Sequence, residues 1–187
     1  GIHQRRIAGE ETVVSMASAA ARQAMERSGT RPEQIGLVLV CTFTPDLLTP
    51  SAACLVQREL GLPDDVLAYD LNAACSGFIY GLVTAQALLE QMPGRRGLII
   101  GAEVISRTVD YTDRGTCILF GDGAAAAVYR ATEDESLGIQ STLVAADGSG
   151  AEYLRMEALP VEDPFAEDRT VDPKARFLKM QGAAVVR

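Results

Sequence analysis

The chain has no tryptophan, one histidine and few aromatic residues of any kind, 5% of its 187 positions. With His3 as its only histidine it holds no histidine cluster, and its four cysteines, at 41, 54, 75 and 117, form no Cys-x-x-Cys pair. Neither a zinc site nor a disulfide framework is expected from this set. No apolar run reaches the about 18 residues that a membrane-spanning helix needs. The opening residues, Gly1-Ile2-His3-Gln4-Arg5-Arg6, are not followed by the apolar stretch of a secretory signal, and the expected compartment is the cytoplasm. Positive charge is scarce as well: 17 Lys and Arg face 25 Asp and Glu, for a formal net charge of -8. That balance argues against general binding to nucleic acid or to an anionic membrane, while leaving room for a local basic grip on a phosphorylated ligand. The sequence opens without an initiator methionine and closes on Gly182 to Arg187 without a stopping signal, so it is expected to be a piece of a longer protein.

What is present is the composition of a folded domain, 48% hydrophobic and 22% charged, long enough for a real core or for part of a larger one. Glu10 and Glu11 are expected to open a helix running to about Ser28, with Val13, Met16, Ala17, Ala20, Ala21 and Ala24 on one face and Gly29 closing it. Ile35 to Cys41 is a continuous apolar run of strand length, the mark of a parallel strand covered on both faces. The loop from Thr42 to Pro50 is too long and apolar for a plain turn and is expected to meet something. Ser51 caps a helix through Leu60 in which Cys54 reads as packing. Val66 to Leu71 and Arg96 to Gly101 read as strands, Glu103 to Thr116 as a polar loop. Cys117 to Phe120 and Ala124 to Tyr129 read as two strands about a turn at Gly121 to Gly123, and Leu137 to Val144 as one more. Beyond Asp147 the chain turns polar and acidic, with Pro160, Pro164 and Pro173, and reads as loop until Phe177 to Met180. Strands alternating with helices make the class α/β, a layered structure.

The stretch from Asp70 to Leu82 carries the chemistry. A short strand leads into a crowded turn with Cys75 at the mouth of a helix that has no polar face, since Phe78, Ile79, Tyr80, Leu82, Val83, Leu88 and Leu89 surround it; such a helix is expected in the core. A cysteine in the first turn sits among unpaired N–H groups at the positive end of the helix dipole, which favours thiolate and nucleophilic chemistry. Gly77 and Gly81 leave room for another backbone to approach closely, as a turn presenting a single reactive residue would need. A free cysteine is also among the most buried residue types, and on local pattern alone Cys75 reads either as a nucleophile or as a small hydrophobe.

Five ordered segments decide between those readings: Pro50 to Gln57, Asp70 to Phe78, Gly101 to Arg107, Thr112 to Thr116 and Leu119 to Ala124. Together they resemble β-ketoacyl-acyl-carrier-protein synthase III, the initiating condensing enzyme of fatty-acid synthesis. The resemblance implies a thiolase-like layered fold whose N-terminal half has a mixed, mostly parallel sheet flanked by helices. Residues 1–146 would be that half without its opening strand, and 147–187 part of a connecting region leading to a second half. It implies that acyl-CoA acylates Cys75 and that malonyl-carrier protein then loses carbon dioxide and condenses with the acyl-enzyme, with coenzyme A thioester as substrate and no resident cofactor. It matches Arg114 to an arginine gripping the nucleotide end of coenzyme A, where the other reading is a surface pair with Asp110 or Asp113. Ile105 and Phe120 match positions lining the acyl pocket, and Leu178 and Met180 match positions near the floor of the site. By the same resemblance Thr49 falls where the family sends a loop across a homodimer to bound the partner's acyl pocket, and a residue this small in that place implies longer or branched acyl primers. The segment from 43 to 50 is then dimer interface.

The same resemblance places in the second half a histidine and an asparagine that stabilise the enolate, together with a glycine-rich loop, and before Gly1 a tryptophan and an arginine that clamp coenzyme A. None is in this sequence, and on the family's map His3 has no catalytic part. The polypeptide alone is therefore expected not to condense. Two other readings stand beside the first: a non-catalytic thiolase-like subunit that dimerises, and a related condensing enzyme of polyketide or hydroxymethylglutaryl type.

Overall fold

The computed structural model describes residues 2–134, 136–157 and 174–185. The chain divides into two compact units, one of residues 8–104 and 122–144, the other of 1–7, 105–121 and 145–187.

The first unit is a four-stranded sheet between helical layers. β1 (Ile35–Cys41) pairs in parallel with β2 (Leu67–Leu71) and with β3 (Arg96–Glu103), and β4 (Gly123–Arg130) runs antiparallel to β3, giving the order β2-β1-β3-β4. Alternation sorts the strand residues onto two faces. Val38, Val40, Leu98 and Ile100 pack with Val13, Ala17, Ala21 and Met25 of α1 (Val13–Ser28) and Val56 of α2 (Ala52–Glu59). Leu37, Leu39, Cys41 and Ile99 pack with Ala85 and Leu89 of α3 (Gly77–Leu89). All seven residues of β1 are buried, which is why that run carries no polar position. The expected layered α/β fold with a mixed, mostly parallel sheet is the one observed.

Helix ends follow local chemistry. α1 starts at Val13 rather than at the glutamates, because Thr12 and Ser15 form a reciprocal capping box. Asp46 adds to it, accepting from the N–H groups of Val13 and Val14 at 3.1 and 2.9 Å. Gly29 ends the helix in the left-handed region, φ 60°. Ser51 caps α2, and Asp70 of β2 accepts from the N–H groups of Ala52 and Ala53 at 2.7 and 2.8 Å.

Further expectations need correction. Cys117 to Phe120 is not a strand: its N–H groups turn back on the chain, Cys117 to the Asp113 carbonyl at 3.0 Å and Leu119 to that of Thr116 at 3.0 Å, so the run closes as turns. Leu137 to Val144 forms no strand among the described residues; no ladder accepts it, and Leu143 is 95% exposed. α3 is not buried all round. Only the stripe Gly77, Gly81, Ala85 and Leu89 is fully buried, while Ile79 is 54% exposed. Cys54 is exposed on α2 instead of packed.

In the second unit, β5 (Leu154–Arg155), where loop was expected, pairs in a short antiparallel ladder with β6 (Lys179–Met180) in the stretch that ends that loop, and α4 (Gly182–Val185) follows. Pro160, Pro164 and Pro173 lie outside the described residues.

Candidate active site

β2 delivers the chain to the carboxyl edge of the sheet at Leu71, and the turn beyond it carries Cys75. The Asn72 Oδ1 accepts from the Ala74 N–H at 3.3 Å, and the Ser76 N–H donates to the Ala73 carbonyl at 3.0 Å. Between them Ala74 takes φ 44°, the only non-glycine residue with positive φ among the described ones. A side chain held there costs about 1–3 kcal/mol, and such strain concentrates where a group must be presented. The result is a tight 3-10 turn, Ala74–Ser76, that runs into α3 at Gly77. Cys75 thus stands two residues ahead of the α-helix rather than in its first turn. Its thiol is exposed, and among the described residues its N–H has no acceptor. Exposure removes the reading of Cys75 as buried packing.

The floor under this turn is Cys41, the last residue of β1. A Cβ on Gly77 would lie 3.3 Å from the Cys41 Cβ, and one on Gly81 only 2.7 Å from its Sγ. The close approach foreseen at these glycines is made by a side chain rather than by backbone. Cys41 is 5% exposed; burial first, then the charges of Glu103 and Asp70, push its thiol up to about 11. The two cysteines therefore have separate duties, Cys41 as packing and Cys75 as a presented thiol.

Sequence reasoning missed Glu103, which it assigned to a polar loop. Glu103 ends β3 and its carboxylate holds the chain leaving β1: it accepts from the Phe43 N–H at 2.9 Å, the Thr42 hydroxyl at 3.1 Å, the Thr44 N–H at 3.1 Å and the Thr44 hydroxyl. Burial raises its pKa and these hydrogen bonds oppose the rise. The signal available in the sequence was an acid directly after an apolar strand, paired with the two threonines that flank Phe43.

The remaining positions fall as follows. Thr49 is in the first unit, exposed on the loop that also exposes Leu47 (50%) and Leu48 (80%). Ile105, Arg114 and Phe120 are in the second unit, Ile105 half-buried in the 3-10 turn Ile105–Thr108 and Phe120 half-buried after the turns. Arg114 is exposed and makes no ion pair among the described residues. Asp110, one candidate partner, is bound instead by Thr112 and by Lys174 at 3.0 Å, contacts that bring its pKa down to about 2. Asp113 accepts from the Gly115 N–H at 2.8 Å and the Thr116 hydroxyl at 3.0 Å. Leu178 is buried, Met180 half-buried and His3 exposed. Among the described residues no three His, Cys, Asp or Glu side chains gather as a metal site would require, and no helix is long and apolar enough to cross a membrane.

The profile of the 3-oxoacyl-[acyl-carrier-protein] synthase III family matches residues 69–148, a span that begins in β2 and contains Cys75. Over all of its length the chain is 41% identical to the β-ketoacyl-[acyl-carrier-protein] synthase III of Clostridium beijerinckii, covering 56% of that protein. Over its whole length the chain resembles β-ketoacyl-[acyl-carrier-protein] synthase III. The synthase III of Sulfurovum sp. is 45% identical over 184 residues, 97% of this chain and 54% of that one. The fold agrees: the crystal structure of the synthase III from Aquifex aeolicus superposes with a TM-score of 0.83 at 39% identity, over 97% of this chain and 53% of that one. The chain spans about half the length of the curated relatives it matches.

Proposed function

We propose that the protein to which these residues belong initiates fatty-acid synthesis as a condensing acyltransferase with Cys75 as its acyl acceptor. The observation that carries this reading is an exposed thiol on a strained turn, with its own N–H unengaged among the described residues, inside the span matched by the synthase III profile. The Cys75 sulfur attacks the carbonyl carbon of an acyl-CoA thioester, the bond to the coenzyme A sulfur breaks, and coenzyme A leaves as its thiol. Sulfur suits this exchange because it returns a thioester of similar reactivity, ready for a carbon nucleophile. Malonyl-carrier protein then loses carbon dioxide. The electron pair of the broken carbon–carbon bond attacks the acyl carbonyl and expels the Cys75 sulfur, giving a 3-oxoacyl-carrier protein. At both tetrahedral stages the Cys75 N–H, which has no acceptor among the described residues, is assigned to donate to the oxyanion.

Arg114 is assigned to the nucleotide end of coenzyme A, a role suited to a planar, permanently charged donor with no acidic partner among the described residues. Ile105 and Phe120 are assigned to the acyl pocket. A homodimer in which Thr49 bounds the partner's pocket is supported by the exposed Leu47 and Leu48 beside it. The chemistry asks for no resident cofactor, and its coenzyme A and carrier-protein substrates suit the cytoplasm.

The test is turnover of the full-length protein with acyl-CoA and malonyl-carrier protein. Release of coenzyme A with formation of 3-oxoacyl-carrier protein is expected, with malonyl-CoA a poor replacement for the carrier-bound extender. The isolated 187-residue chain is expected to form no condensation product, because the resemblance puts the enolate-stabilising histidine and asparagine outside it. Condensation that persists in Cys75→Ala would refute the assignment.

A further inference from the structure

Among the described residues no hydrogen bond joins Cys75 to Cys41 at the end of β1 or to Glu103 at the end of β3, yet both bear on the turn that carries it. The residue pair Cys41–Thr42 at the end of β1 meets both flanks of the Cys75 turn. On the incoming side the Thr42 N–H donates to the Leu71 carbonyl at 3.2 Å, the last backbone rung before the turn. On the outgoing side the Cys41 side chain fills the space beneath Gly77 and Gly81. Whatever holds Cys41–Thr42 therefore sets where the turn begins and where the helix after it starts.

β1 ends there, and its ladder no longer fixes the residues that follow. The grip beyond Cys41 comes from β3. Glu103 takes the Thr42 hydroxyl, the Phe43 N–H and both donors of Thr44, and the Thr44 hydroxyl in turn accepts from the Val104 N–H at 3.0 Å. The Thr44 N–H also reaches the Thr42 hydroxyl at 3.2 Å, which closes the network. A carboxylate accepts at all its lone pairs, so one side chain can serve four donors; an amide could not, because half of its polar end donates. Strong hydrogen bonding to a half-buried carboxylate rigidifies what it binds.

We infer that Glu103 is a positioning residue for the nucleophile, acting through Thr42 and Cys41 to fix the strained turn that presents Cys75. Its importance for acyl transfer rests on the proposed function, whereas its hold on the turn does not.

The experiment uses Glu103→Gln and Glu103→Asp in the full-length protein, with two readouts. The first is amide hydrogen exchange, which needs no substrate. In Glu103→Gln the peptide covering residues 72–77 is expected to exchange about tenfold faster, while α1 amides keep their rate. Unchanged exchange in 72–77 overturns the inference, and so does equal acceleration in α1, which would make Glu103 a support of the whole fold. The second is single-turnover acylation by acyl-CoA. Its limiting rate is expected to fall about tenfold or more with the half-saturating concentration little changed, since geometry at the sulfur is lost and binding is not. Glu103→Asp keeps the four-fold acceptor and is expected to recover part of both effects; a recovery no better than that of the amide would contradict the carboxylate's role. A wild-type protein that takes up no acyl group would refute the proposed function, and exchange would still decide the positioning role. Should Glu103→Gln not fold, Thr42→Val removes a single hydroxyl from the network and is judged by the same exchange criterion.

Discussion

Replacing Gly81 by alanine sets two known effects against each other in α3, the helix that follows the Cys75 turn. Gly81 lies within α3, where alanine is favoured over glycine by about 1 kcal/mol. An added Cβ there would sit 2.7 Å from the Cys41 Sγ and 3.1 Å from the Ile99 Cγ2. Cys41 is locked in β1, between β2 and β3, and cannot retreat without moving the strand end. Overpacking of this kind costs about 1–3 kcal/mol, and with backbone-anchored sulfur as the obstacle the upper part of that range applies. The net expectation is a loss of about 1–2 kcal/mol, or a fall in Tm of about 2–4 °C per kcal/mol for a chain of this size. Cys41→Ala removes the sulfur and should itself cost about 1 kcal/mol. In that background the remaining neighbour is the end of the Ile99 side chain, so Gly81→Ala should be neutral or stabilising by up to about 1 kcal/mol. The double-mutant cycle should then report about 2 kcal/mol of coupling. Urea unfolding followed by far-ultraviolet circular dichroism measures all four proteins. Gly81→Ala at least as stable as the parent, or equally harmful with and without the sulfur, would refute the packing argument.

The cysteines should also differ in reactivity. At pH 8 iodoacetamide should modify the exposed Cys75 and Cys54 in the folded protein and leave Cys41 untouched; peptide mapping reads the result. Because the Cys41 thiol is raised from 9.0 to about 11, the fold holds its proton after the unfolded chain has released it. Stability should therefore fall as pH rises through that window, and Cys41→Ala should flatten the alkaline limb. Asp70 accepts two N–H groups at the start of α2, so Asp70→Ala should destabilise by about 1–2 kcal/mol in the same urea assay, and Asp70→Asn by less.

Much of the scaffold was legible in the residues because single physical causes dominate there. The unbroken apolar run of β1 announces burial on both faces, and Ser51 and Gly29 mark helix ends by capping chemistry. Cys75 stood out because small residues crowd around it, although pattern alone left it either a nucleophile or packing until flanking motifs were joined to it. What was misread depended on partners distant in sequence. Leu137 to Val144 was read as a strand, but among the described residues no ladder receives it, and a strand needs a neighbour. Cys117 to Phe120 is short enough for local turn hydrogen bonds to win over extension. The apolar circumference of α3 suggested a core helix, yet only the stripe of Gly77, Gly81, Ala85 and Leu89 is buried in this chain. Glu103 was invisible as a structural acid because its four donors lie about sixty residues away.

The central claim is that Cys75 accepts an acyl group. Full-length protein exposed to acyl-CoA in the absence of extender, then digested and examined by mass spectrometry, tests it most directly. The expected result is the peptide carrying Cys75 heavier by one acyl group, sensitive to hydroxylamine as a thioester is, with the peptides of Cys41, Cys54 and Cys117 unchanged and no adduct in Cys75→Ala. An acyl group on another cysteine, or an unmodified Cys75 peptide while coenzyme A is released, would contradict it.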